Sequence, residues 1–218
     1  MIGLLPEPTD EPLRVLCLGA HADDVEIGAG GTLLRLQQER PVVARTVVFS
    51  ATEERRAEQE MAAKLLFADA VDHEVDVHDF RENLFPDQWA AIKSAVHANV
   101  GFAPDVVFTN RLDDRHQDHH TLAAMAWQSF RDHLILQFEI AKYEGDLGRP
   151  NLYVPFDDAT MDRKVEILHT AFPSQTDKLW FDTDTFRGLA RVRGVECNQK
   201  WAEAFHADKA LLLPPPTG

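Results

Sequence analysis

The chain is poor in positive charge. Its 218 residues hold 22 lysines and arginines against 36 aspartates and glutamates, a formal net charge of −14 with 10 histidines counted as neutral. Nucleic acids and anionic membranes are gripped by clustered cations, so neither is an expected partner. Cysteine is scarce as well. Cys17 and Cys197 stand far apart and outside any Cys-x-x-Cys pair, which excludes a disulfide framework. Cys17 lies in the apolar run Val15–Leu18 and reads as an inert core thiol. No stretch approaches the about 18 consecutive apolar residues of a membrane-spanning helix. Residues 1–11 lack the basic start, apolar stretch and Ala-x-Ala site of a secretory signal. A soluble, cytoplasmic protein is expected.

What is present argues for an ordinary globular domain. Hydrophobic residues make up 44% of the chain and 13 residues are Phe, too many for a disordered polymer. At roughly 100–200 residues per domain, one domain over 1–218 is expected, with residues 1–10 and 213–218 as flexible ends. Short apolar runs alternate with segments of helical period. Strands are expected at Leu13–Gly19, Val42–Phe49, Val71–Val77, Pro104–Thr109, Leu134–Ile140 and Trp201–Phe205. Helices are expected at Ile27–Gln38, Glu53–Phe67, Pro86–Val100, His119–His133, Asp162–Ala171 and Thr183–Val192, and Gly145–Pro155 reads as loop. This alternation predicts an α/β fold: a Rossmann-like, mostly parallel sheet flanked by helices, with a C-terminal extension over a strand-end active site.

Two clusters of chemistry-bearing residues fall at predicted strand ends. The first strand runs into His21-Ala22-Asp23-Asp24. The fourth runs into Asn110-Arg111-Leu112-Asp113-Asp114-Arg115-His116-Gln117-Asp118-His119. In the strand order 3-2-1-4-5 these two strands are neighbours at the switch point, where open α/β sheets bind ligands. His21, Asp24 and one histidine of the second cluster satisfy the three-ligand count of a catalytic zinc site. Asp23 can then reach a metal-activated water as general base. Of His116 and His119, one can be a ligand while the other stabilises an oxyanion or protonates a leaving group. Asp118 can orient a histidine from behind. The run Gly28-Ala29-Gly30-Gly31 lacks the third glycine of a dinucleotide loop, position 33 being Leu. It reads as small residues that let a neighbour approach the helix.

At these residues the sequence resembles the PIG-L/LmbE family of metal-dependent N-deacetylases. The first family motif, Ala-His-Pro-Asp-Asp before a Gly-rich helix entry, is matched by Ala-His-Ala-Asp-Asp-Val-Glu-Ile-Gly-Ala-Gly-Gly-Thr-Leu. The second, His-x-Asp-His, is matched by His116-Gln117-Asp118-His119. Further echoes are Arg55, Arg56 and Glu60, Ser174-Gln175, and Ala202-Glu203-Ala204-Phe205, so the likeness spans nearly the whole chain. The departures are Ala22 in place of proline, and Ser50-Ala51-Thr52-Glu53-Glu54 in place of a Gly-Glu turn.

The resemblance implies His21, Asp24 and His119 as Zn2+ ligands, with Fe2+ or Co2+ as possible substitutes. It implies Asp23 as general base and His116, with Asp118 behind it, as the residue that stabilises the tetrahedral intermediate or protonates the amine. That last role is easier for a protonated ring. The implied reaction removes an N-acetyl group from an amino sugar or sugar conjugate, releasing acetate and a free amine. Arg55 or Arg56 can bind a sugar hydroxyl or phosphate, or either can be a surface arginine paired with Glu60. Asp114, Tyr143 and Gln175 are the other candidate substrate-binding residues, and a homo-oligomer is compatible with the family. The rivals are a metal-dependent amidase on a non-sugar substrate and a catalytically silent sugar-binding module. A metallophosphoesterase is disfavoured, because Asp-x-His with later Gly-Asp-x-x-Asp and Gly-Asn-His is absent.

Overall fold

The computed structural model describes residues 11–211; the expected flexible ends, 1–10 and 213–218, lie outside the described residues. The chain alternates β1 (Leu13–His21), α1 (Asp24–Glu39), β2 (Val42–Ser50), α2 (Glu53–Leu66), β3 (Asp72–Val77), α3 (Trp89–Ala98), β4 (Val106–Thr109), α4 (Gln117–Ser129) and β5 (Leu134–Phe138). It continues through β6 (Leu152–Phe156), α5 (Asp158–Ala171), α6 (Thr183–Glu196) and β7 (Trp201–His206). The seven strands form one sheet in the order β3-β2-β1-β4-β5-β7-β6. The first five pair in parallel, and β7 and β6 join antiparallel.

From Val15 to Ala20, β1 is apolar because both its faces are buried there, as in a sheet covered by helices on either side. Val15 and Cys17 face the core shared with α1, α2, α5 and α6. Leu16, Leu18 and Ala20 face the core shared with α3 and α4. The sheet grows from β1 through β2 to β3 on one side and through β4 to β5 on the other. The switch point therefore lies between β1 and β4, and the two chemistry-bearing loops leave the sheet side by side.

The α/β fold class agrees with the expectation, and three local readings are corrected. Gly145–Pro155 is not all loop: Leu152–Phe156 is the outer strand β6. Pro155, which hides a strand in the sequence, is tolerated there because an edge strand leaves one row of backbone groups unpaired. The C-terminal extension does more than cover a rim, since β7 is inserted between β5 and β6. Pro86–Val100 is not one helix. A 3-10 turn at Phe85–Gln88 precedes α3, and a second at Val100–Phe102 follows it.

α1 is held in place by a buried ion pair. In a helix the Ile27 carbonyl and the Gly31 N–H form one rung of the ladder. Here Lys164 of α5 donates to the Ile27 carbonyl at 2.6 Å, while Glu203 of β7 accepts from the N–H groups of Gly31 and Thr32 at 2.8 and 2.7 Å. The two side chains close on each other at 2.7 Å. Gly28 and Gly31 make room for this approach. A Cβ on Gly28 would lie 2.4 Å from the Phe138 ring, and one on Gly31 would lie 2.6 Å from the Phe156 ring. Lys164→Met strips Glu203 of its counter-charge in a buried position, so it should cost about 3–5 kcal/mol of folding stability, read from urea unfolding midpoints. A loss within about 0.5 kcal/mol, the size of an ordinary surface substitution, would show that the pair does not hold the helix.

Candidate active site and metal centre

β1 ends at His21, and the next two residues make the turn into α1. Asp23 caps that helix with φ at 89°, a left-handed conformation that costs energy for a residue with a side chain. Its backbone N–H donates to Gln59 Oε1 at 3.1 Å, and its carboxylate is gripped by Arg55 at 2.7 Å. Arg55 also donates to the Ala22 carbonyl. Two ties from α2 thus hold the turn. Asp24, the first residue of α1, accepts from the His21 N–H and from Asn110 Nδ2, both at 3.0 Å. Asn110, just past β4, also accepts from the Ala20 N–H, which stitches the two loops together across the switch point.

The second loop enters α4 two residues earlier than the sequence suggested. His116 is the helix cap, with its Nδ1 accepting from the Asp118 N–H at 3.2 Å. Asp118 and His119 therefore stand in the first helical turn, pointing back toward β1. His21 Nδ1 and His119 Nε2 meet at 3.1 Å. Asp24 Oδ2 lies 3.9 Å from the former and 3.5 Å from the latter.

The remaining ring nitrogens decide what this meeting means. His21 Nε2 donates to Asp118 Oδ2 at 3.1 Å, and His119 Nδ1 donates to Asp114 Oδ2 at 3.0 Å. Carboxylates only accept when ionised, so each of these nitrogens carries the proton. With both rings in the neutral form that binds a metal, two lone pairs face each other beside a third donor, Asp24, and a cation satisfies that arrangement; without one, the carboxylates of Asp118 and Asp24 outweigh burial and hold His21 above its usual pKa. Donor separations near 3.4 Å follow from ligand bonds of about 2.0–2.2 Å around a tetrahedral ion, so the three atoms fit one. Donor atoms of His21, His116 and His119 also fall within 4.8 Å of one another. The set with Asp24 is the tighter one, and His116 Nδ1 is already engaged.

Burial and charge work against each other throughout the cluster. Burial pushes the Asp23 carboxyl up, Arg55 pulls it back, and it settles at about 6. Burial acts the same way on Asp24, but His119, His21 and Asn110 outweigh it and hold Asp24 below the usual carboxylate range. Asp118 is likewise lowered, since its bond to His21 and the N–H groups of Phe85 and Asn83 overcome burial. Burial, His119 and His21 together lower His116.

Other residues nominated by the sequence are placed differently. Asp118 stands behind His21; only its backbone N–H touches the His116 ring. Asp114 does not face an open pocket, since it accepts from His119, the His116 N–H and Lys142. Arg55 is neither a surface residue nor paired with Glu60. It bridges Asp23 and Glu58, at 2.7 and 2.6 Å. Arg56 runs along its own helix to Glu53, 3.9 Å away, and is not brought to the cluster. Tyr143 is 74% exposed. Gln175 is buried and donates to Ser174 Oγ, which in turn donates to Glu58, which puts Gln175 four links from Asp23 by way of Arg55. The sequence reading missed Asn110, Gln59 and Lys142. Nothing in their spacing marks them, because each acts through a tertiary contact.

Residues 16–130, more than half of the chain, match the PIG-L family model, described as GlcNAc-PI de-N-acetylase; the chain belongs to this family. It is 30% identical over 114 residues to an uncharacterized deacetylase, YaiS, of Escherichia coli (strain K12), a match covering 48% of this chain and 61% of that relative's length. Among solved structures it is similar to the conserved protein TT1542 from Thermus thermophilus (TM-score 0.73, 22% identity, 94% of this chain and 99% of that one). It is similar also to the N,N'-diacetylchitobiose deacetylase from Pyrococcus horikoshii (TM-score 0.70, 21% identity, 88% and 82%). A third likeness is to a 4-carboxy-2-hydroxymuconate hydratase, GalB, from Pseudomonas putida KT2440 (TM-score 0.67, 17% identity, 94% and 100%). At these identities the structural likeness establishes the fold alone.

The site geometry predicts one divalent metal ion per chain by metal analysis after dialysis. His119→Ala should abolish that stoichiometric metal, and Asp118→Asn, which leaves His21 poorly oriented, should weaken its binding about 10–100-fold. Full occupancy in His119→Ala would remove His119 from the ligand set.

Proposed function

We propose that the chain is a metal-dependent hydrolase that removes an N-acetyl group from an amino sugar or sugar conjugate, releasing acetate and a free amine. The observation that carries this reading is the meeting of His21 Nδ1 and His119 Nε2 at 3.1 Å beside the Asp24 carboxylate, with the buried Asp23 one residue away. His21, Asp24 and His119 would hold the ion. Zinc suits this donor set, as do iron and cobalt. When bound, the ion supplies a Lewis acid for an amide carbonyl and lowers the pKa of a water toward about 7.

The remaining roles belong to the chain's own side chains. Asp23 takes the proton of the attacking water; Arg55 keeps its carboxylate aimed and its backbone turn closed. His116 presents an Nε2–H, because its Nδ1 is occupied by the Asp118 N–H. From there it donates to the carbonyl oxygen as negative charge develops. Asp118 and Asp114 fix the tautomers of His21 and His119. Arg55 is committed to Asp23 and Glu58, so recognition of the sugar falls to other residues, with the exposed Tyr143 as one candidate. Two buried cysteines without a disulfide fit a reducing compartment such as the cytoplasm. Among the described residues no helix is long and apolar enough to cross a membrane.

An acetate-release screen over N-acetylated monosaccharides, disaccharides and sugar nucleotides, with zinc present, tests the reaction. Asp23→Asn should keep its zinc and lose about 100–10,000-fold in kcat on any substrate found. Turnover within about threefold of the parent would remove Asp23 as the base. Full zinc occupancy with no acetate released from any sugar would instead favour a non-sugar amide, a silent binding module or a hydration reaction.

A further inference from the structure

A second charged network lies behind His119, outside both sequence motifs. Asp114 Oδ2 accepts from His119 Nδ1 at 3.0 Å and, on the same oxygen, from Lys142 Nζ at 2.9 Å. Lys142 belongs to the segment that follows β5, and its ammonium also reaches both oxygens of Asp146, at 3.0 and 3.2 Å. Asp146 accepts from the Arg115 N–H at 2.7 Å, and the Arg111 guanidinium donates to its backbone carbonyl. Arg115 further donates to the Glu144 carbonyl at 3.2 Å. The charged groups at the centre are buried: side-chain exposure is 10% for Lys142 and 5% for both Asp114 and Asp146. Without the ammonium, two carboxylates would face each other out of water with Arg111, 3.7 Å from Asp146, as their remaining cation.

We propose that Lys142 and Asp146 are positioning residues that dock the 142–146 segment onto the histidine behind the metal, so that metal binding and docking of this segment are one coupled event. The inference rests on the reading of His119 as a metal ligand. A cation on Nε2 polarises the ring, strengthens the Nδ1–H bond to Asp114, and so fixes the carboxylate that Lys142 grips. Coupling of this kind is reciprocal: the factor by which the metal favours the docked segment is the factor by which docking tightens the metal. The segment also carries the exposed Tyr143, so the ion and this stretch of surface are ordered together.

Hydrogen exchange of residues 139–148 in the full chain, with and without zinc, tests the coupling. Zinc should slow exchange in this segment about tenfold in the parent protein. Lys142→Met and, separately, Asp146→Asn should abolish that zinc-dependent protection and weaken zinc binding about tenfold, with Lys142→Arg restoring part of both. Asp146→Asn leaves Asp114 and its ammonium untouched, so it keeps the question answerable if Lys142→Met fails to fold. Equal zinc protection in parent and variants would overturn the proposal. So would tighter zinc binding in Lys142→Met, which would show that Lys142 merely draws charge from Asp114. If the parent binds no zinc, the metal reading and the coupling both fall. Faster exchange of the metal-free variants would then show that the clamp itself stands.

Discussion

The ion pair between Lys164 and Glu203 is the contact on which the site's geometry rests. It reaches both ends of the Ile27–Gly31 rung of α1, and so fixes the helix whose first residue is Asp24 and whose cap is Asp23. The same helix α5 that carries Lys164 runs on to Phe172, and just beyond it Ser174 bonds Glu58 through both its N–H and its hydroxyl. Glu58 holds Arg55, and Arg55 holds Asp23. One helix therefore reaches the turn at Asp23 by two routes: from behind, through α1, and from above, through α2. A left-handed aspartate is tolerable only in a setting that determines it from several sides.

The charge balance of the chain follows the same logic. Most of the surplus carboxylates are solvated; Asp72, Glu74 and Asp76 line the outer face of edge strand β3, where charge discourages a foreign strand from pairing. Most of the buried ones are paired: Asp24 and Asp118 with histidines, Asp114 with His119 and Lys142, Glu58 with Arg55, Glu139 with Arg193, Glu203 with Lys164. Two carboxyls stay high: Glu26, bonded to Gln59, is raised by burial to about 7, and Asp23 stays at about 6 even with Arg55 beside it. For Asp23 this suits the proposed reaction, because a base must be able to take a proton, and a fully neutralised carboxylate is a poor one.

The fold was legible because its signals are local. Apolar runs at β1, β2 and β4 and helical periods between them are set by each segment's own burial, and the order of strands follows from right-handed crossovers. The meeting of the two clusters was legible for the same reason, since it needs only the switch point. What escaped was whatever depends on a partner elsewhere in the chain. β6 is defined by pairing with β7 and carries a proline. Arg55 reads as a sugar-binding or a surface arginine until Glu58 and Asp23 are placed beside it. Asp114 reads as a pocket residue until Lys142 arrives from behind β5. The glycines of α1 could be read as small but not as a seat for Phe138, Phe156 and Glu203, which come from three strands at the far side of the sheet.

His116 shows how such tertiary detail alters chemistry as well as geometry. Motif reasoning favoured a protonated ring, able to hand a proton to a leaving amine. In the structure the Asp118 N–H points at Nδ1, which reserves that lone pair and leaves the proton on Nε2. Burial and the two neighbouring histidines disfavour the charged ring, and a divalent cation held between those neighbours would disfavour it further, by like-charge repulsion. A neutral imidazole still donates a hydrogen bond through Nε2–H, and an oxyanion needs that more than it needs a formal charge. The proton for the departing amine is then better sought from Asp23, which has just taken one from water. A carboxyl that burial has raised to about 6 can both accept that proton and return it, so one residue can serve as base and then as acid, with His116 stabilising the charge between the two steps.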